Sequence, residues 1–206
     1  EVEEYPEVAA LDRKLMISPA VALAGITKAV VTVATLAKEN VRASLAQFKT
    51  YNADRATDVY QCEDRIDRFT DMCDNYLIEL SQNVETERDR RQLNMLMQCI
   101  RDIERIGDYA TNFDEMAKKL NDAELHFSDS AQQEMDILGA AILEILQLTV
   151  DALDHDDDAT ARRIEPLEEV IDDMVLLLKK RHTDRLCQGI CSIQSGIVFM
   201  DALTHL

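Results

Sequence analysis

The chain has 206 residues, of which 47% are hydrophobic and 30% charged, with only five glycines, three prolines and no tryptophan. That is enough apolar material for a packed core and too few breakers for a turn-rich fold, so disorder and all-β architectures are excluded and long helices are expected. A net charge of −18 repels phosphate backbones and anionic headgroups, which argues against nucleic acid as a partner and makes a cation a natural one.

The start, EVEEYPEVAALDRK, has neither the basic head nor the apolar stretch of a secretory signal, and it begins at Glu1 rather than Met, as expected of a fragment. The first helix is expected over 17–49, with Ser18 as N-cap and Pro19 at its first position. Its stretch AVALAGITKAVVTVATLA approaches the roughly 20 residues of a membrane span. Lys28 and several threonines interrupt it, so we read it as the buried helix of a bundle.

A second helix, over 53–82, sets Val59, Cys62, Ile66, Phe69, Cys73, Tyr76 and Leu80 at alternating spacings of three and four, the seam of a bundle helix. A third, over 86–121, repeats this with Leu93, Leu96, Ile100, Ile103, Gly107, Ala110, Phe113, Ala117 and Leu120. Glycine in that seam costs about 1 kcal/mol against alanine, so a close helix approach is expected there. HFSDSAQ supplies a turn and cap before a fourth helix over 129–155; DHDDDAT opens a fifth over 157–183, and a sixth runs from about 187 to the end. The five cysteines, Cys62, Cys73, Cys99, Cys187 and Cys191, fall inside helical patterns and read as reduced core thiols of an intracellular protein.

The halves repeat. Ala56, Glu63, Ile66 and Asp67 match Ala161, Glu168, Ile171 and Asp172, and Met97, Ile100 and Ile103 match Met200, Leu203 and Leu206. The expected organisation is a linker segment over 1–16, a first three-helix repeat over 17–121, and a second over 128–206 that stops where the counterpart of Glu104 should follow.

The chemistry-bearing residues sit beside the seams. Glu104, Asp108, Asn112 and Glu115 form one stripe at spacings of four, four and three; Glu63 and Asp67 flank the seam of the second helix, and Glu168 and Asp172 that of the fifth. Two such pairs from adjacent helices would face a groove with four carboxylates, an oxygen-only set suited to Mg, Ca, Mn or iron and poorly matched to structural zinc. The alternative is a solvated acidic face helped by Arg65, Arg101 or Arg105. DHDDDATARRIE has acids at the first, third, fifth and twelfth positions of a calcium loop, but Ala159 stands where glycine is needed, so it reads as an acidic helix start. The four histidines share no face and no nucleophile or base accompanies the acids, so catalysis is not expected.

The stretch CIRDIERIGDYATNF resembles the L-E-R-I-G-D-x-A-x-N signature of the PhoU phosphate-uptake regulator family, and Glu63 to Asp67 and Glu168 to Asp172 resemble its other acidic motif. ALDRKLMISPAVAL, residues 10–23, resembles the segment joining the membrane part of bacterial sodium/phosphate cotransporters to a C-terminal PhoU-like domain. The resemblance implies an all-α fold of two tandem three-helix bundles. It also implies iron or zinc at the acidic motifs: Glu63, Asp67, Glu104 and Asp108 as one site, with Asn112 and Glu115 beside it, and Glu168 and Asp172 as half of a second. The implied role is regulation of phosphate uptake on the cytoplasmic side of the membrane, through contacts with the chain's own transport domain or other phosphate-uptake proteins, with a homodimer among the candidate assemblies. A free-standing PhoU regulator and a metal-free helical scaffold are the alternatives.

Overall fold

The computed structural model describes residues 5–9 and 11–206; residues 1–4 and 10, which include the head of the expected linker and Ala10 of the joining segment, lie outside the described residues. Six long helices carry the fold: α1 Pro19–Gln47, α2 Ala53–Leu80, α3 Glu87–Asp122, α4 Asp129–His155, α5 Ile164–Cys187 and α6 Ile193–His205. No strand occurs among the described residues, and the fold is all-α.

Most boundaries follow from local chemistry. Pro19 opens α1 after Ser18, although the Ser18 hydroxyl caps nothing and the fixed φ of proline starts the helix instead. Asn52 caps α2, its Oδ1 accepting from the backbone N–H of Asp54 at 2.8 Å and Arg55 at 3.0 Å. Thr86, Ser128 and Ser192 cap α3, α4 and α6 in the same way.

Two boundaries differ from expectation. The fifth helix does not run from 157: a four-residue turn, Asp158–Ala161, is followed by a break, and α5 begins at Ile164. Pro166 is the reason, because it has no N–H to donate and its ring disfavours helix in the residues before it, so it sits within the first turn of a new helix. The sixth helix begins at Ile193 rather than 187, since Gly189 at φ +68° ends α5 in a left-handed turn. For the same reason Cys187 and Cys191 are not core thiols: Cys187 is exposed and Cys191 half-buried beside that turn. Cys73 is buried, and burial pushes its thiol up to about 12.

Helix α1 is long and apolar enough to cross a membrane by composition alone. In the fold it is the central element, packed on α2, α3 and α4. One core joins the first half of α1 to α2 and the start of α3, and takes in Val8 and Met16 from the N-terminal segment. A second core joins α4, α5 and α6 through Leu138, Ile171, Leu178 and Phe199, and the last turns of α3 complete it with Phe113, Met116, Ala117 and Leu120. Helix α6 packs on α5 and α3 rather than on α4, so α3 serves both cores. The repeated positions Ile66 and Ile171 are both buried.

Candidate functional site

Every position of the α2 and α3 seams is buried or half-buried, and the two helices meet closely at one point. Gly107 is buried against Ile66: a Cβ built on the glycine would stand 3.3 Å from Ile66 Cγ2 and 3.7 Å from its Cδ1. That contact fixes which acids face each other. Ile66 lies between Glu63 and Asp67 on α2, and Asp108 follows Gly107 on α3.

The electrostatics record the crowding. The Glu63 carboxyl is pushed up to about 7, first by burial and then by the charges of Asp67, Asp64 and Asp108. Asp67 is also raised, by burial and then by Asp108, against a hydrogen bond with Glu63 that lowers it. Near neutral pH this pair therefore shares a proton, as carboxylates do when no cation separates them. Basic side chains nearby are engaged elsewhere. Arg65 donates to the Tyr5 hydroxyl at 3.2 Å and lies over its ring, Arg101 donates to Gln98 at 3.0 Å, and Arg105 faces Asp102 at 3.9 Å.

Glu104 is exposed and is not among the charges acting on Glu63 or Asp67, so Glu63, Asp67 and Asp108 are the acids brought together. As these side chains stand, no three His, Cys, Asp or Glu residues are arranged to hold a metal ion among the described residues. The donor set fits a hard cation in chemistry and charge, and rotamer changes in these half-buried and exposed carboxylates are what convergence would take. Farther along the stripe, Asn112 is half-buried and Glu115 exposed, its charge helping to raise the Tyr60 phenol after burial has done so. Glu168 and Asp172 are exposed on α5, on either side of buried Ile171.

The calcium-loop-like stretch is a helix start. Asp157 Oδ1 accepts from the Ala159 N–H at 2.9 Å and Oδ2 from the Thr160 hydroxyl at 2.7 Å, which is capping geometry. Two buried polar nodes were not anticipated from sequence. Gln47 donates from Nε2 to Asp114 at 2.7 Å and to the Asn52 carbonyl at 2.9 Å, which ties the α1–α2 turn to α3. In the second core, Arg185 donates to Glu134 at 2.7 Å, while the His182 ring lies tilted against Phe199 and packs against Gly196. The only sequence signal for either is a polar residue at a seam position.

Comparison with known proteins supports the family reading. Residues 30–117 match the PhoU domain, a stretch that contains Glu63, Asp67, Glu104 and Asp108. The chain is also 22% identical over 166 residues, 80% of its length and 71% of the relative's, to the phosphate-specific transport system accessory protein PhoU homolog 1 of Thermotoga maritima. No solved structure matches significantly. Residues 30–117 are therefore similar to a PhoU domain, on an all-helical chain.

Proposed function

We propose that this chain is a PhoU-type accessory regulator of phosphate uptake, acting through contacts with other phosphate-uptake proteins from the cytoplasmic side of the membrane. The observation that carries the reading is the PhoU match over residues 30–117, with its acidic motifs on facing helices. The relative's name, an accessory protein of a phosphate-specific transport system, favours this over a domain fused to a transporter. A regulator fits the site better than a catalyst does, because the acids have no nucleophile or histidine base among them.

Metal binding belongs to the same proposal. Glu63, Asp67 and Asp108 would hold the ion, with Glu104 turning in from the next helical turn; Glu168 and Asp172, both exposed on α5, are the weaker candidates. Bound there, an iron, zinc or other divalent ion supplies positive charge that replaces the shared proton of Glu63 and Asp67, and so ties α2 to α3. Elemental analysis of protein purified without chelator, wild type against Asp67→Asn/Asp108→Asn, tests the site; equal metal in both would sink it. For the role, labelled phosphate uptake is compared in cells with and without the gene, at high and low phosphate. Unchanged uptake in both conditions rejects the regulatory reading.

The cotransporter-type reading keeps one observation in its favour, the resemblance of residues 10–23 to the segment that joins such a domain to its membrane part. In this fold Asp12 caps a short turn, Arg13–Ile17, that leads directly into α1. Fractionation of cells expressing the whole gene separates the two: recovery in the membrane after alkaline washing supports fusion, and recovery in the supernatant rejects it.

A further inference from the structure

Helices α3 and α4 both pack on α1 and scarcely touch each other. Between them lies a groove with a cavity of about 270 Å3, floored by Ala34 of α1. Its walls are two helical stripes. Met95, Cys99, Asp102, Ile103 and Ile106 line it from α3, and Leu146, Thr149, Val150 and Leu153 from α4. Spacings of three and four are what a helix turns toward a partner helix. At 100° per residue the α3 stripe lies on the side of the helix opposite Glu104 and Asp108, so the groove is distinct from the carboxylate site.

The polar groups at the groove carry one sign. Asp156, Asp157 and Asp158 close its end at the α4–α5 connection, Asp102 stands on its wall, and no lysine or arginine lines it among the described residues. Asp102 is partly engaged, by Gln98 and Arg105, and Asp157 caps its own turn. The side chains of Asp156 and Asp158 accept no hydrogen bond among the described residues, and Asp156 is held at φ +50°, at the end of α4.

We propose that this groove takes a basic amphipathic helix from another protein, with its apolar side chains over Ala34 and Val150 and its lysines or arginines at the aspartate rim. The α3 stripe, twelve residues from Met95 to Ile106, is about 17 Å long, three turns of an incoming helix. Apolar walls under an acidic rim select a cationic amphiphile and repel an anionic one. A second copy of this chain brings −18 of like charge and is disfavoured as the occupant. The proposal goes beyond the regulatory reading and does not depend on metal at Glu63, Asp67 and Asp108.

The probe is a fluorescein-labelled peptide of leucine and lysine, about 14 residues in amphipathic order so as to span the groove, titrated with the whole chain at physiological salt and followed by anisotropy. Saturable one-to-one binding is expected, with protection of Cys99, which lines the groove, from alkylation. Asp102→Asn/Asp156→Asn/Asp158→Asn, which spares the capping Asp157 and keeps residues that tolerate these backbone positions, should weaken binding about tenfold or more. Ala34→Leu, raising the floor, should weaken it comparably while circular dichroism confirms the fold. Asp58→Asn/Asp184→Asn/Asp201→Asn removes as much charge from exposed positions outside the groove and should change affinity less than about twofold. Equal weakening by the two charge-removing triples would reduce the effect to bulk charge and overturn the proposal. So would unaltered Cys99 alkylation, or equal binding of a leucine–glutamate peptide.

Discussion

Gly107 of α3 and Ile66 of α2 are in contact so close that one added methyl would stand 3.3 Å from the isoleucine Cγ2. Ile66 is fully buried and β-branched, so it has little freedom to yield. Alanine at 107 gains about 1 kcal/mol of helix propensity and loses a comparable amount to crowding. Gly107→Ala should therefore leave stability within about 1 kcal/mol of wild type, whereas Gly107→Leu should cost about 3 kcal/mol by forcing α2 and α3 apart. Denaturant titration measures both, and a stable Gly107→Leu protein would show that the helices do not depend on this approach.

That glycine illustrates what the sequence could reveal. A residue that weakens a helix, placed on an otherwise apolar seam, has one economical reading, a close neighbour, and the three-and-four spacing names the face. Periodicity assigns a residue to a face but not to the helix opposite, nor to a rotamer. Asp108 and Glu104 share a stripe and both are exposed, yet Asp108 acts on Glu63 and Asp67 and Glu104 does not. Pattern also failed where one residue overruled it. Pro166 moved the start of α5 to Ile164, and Gly189 shortened α6 and left Cys187 in solvent. The service of α3 to both cores was not legible, because Phe113 and Leu120 continue its seam without any change of spacing.

The Glu63 carboxyl gives a pH dependence of definite sign. Its value in the folded protein, about 7, lies above the usual carboxylate range, so the folded state holds a proton that the unfolded chain has released. Its contribution to stability is full below about pH 4.5 and is lost as pH rises through 7. With metal removed by chelator, wild type should lose more stability between pH 5 and about 7.5 than Glu63→Gln does. Thermal melts at the two pH values check this, and parallel curves would mean that Glu63 is not crowded.

His182 titrates with the opposite consequence. It is 2% exposed, neither ring nitrogen has a hydrogen-bond partner, and burial followed by the Arg185 charge holds its pKa below the ordinary value, with Glu134 opposing. The unfolded chain binds the proton more readily, so this contribution is present above about pH 6.5 and lost as pH falls below it. The ring also sits where a Cβ on Gly196 would come within 2.7 Å of Nε2. Gly196→Ala should therefore destabilise by about 2 kcal/mol, and His182→Ala should recover part of that in the double variant. Additive losses in that cycle would show that the two residues do not press on each other.

Gln47 holds the α1–α2 turn and α3 at once. Its Oε1 accepts from the Asn52 N–H at 2.9 Å, and its Nε2 donates to the Asn52 carbonyl and to Asp114. Asp114 is 1% exposed, its Oδ2 has no partner, and burial raises its pKa while Gln47 lowers it. Gln47→Ala strips the last hydrogen bond from a buried carboxyl and releases the turn, a loss of about 3 kcal/mol. Gln47→Glu keeps the shape and places a second acid against Asp114, so it should be the worse variant at pH 8 and recover toward wild type at pH 5, where one of the two carboxyls takes up a proton. Urea unfolding of the three proteins at both pH values decides it. A Gln47→Glu protein as stable as wild type at pH 8 would mean that Asp114 is already neutral there.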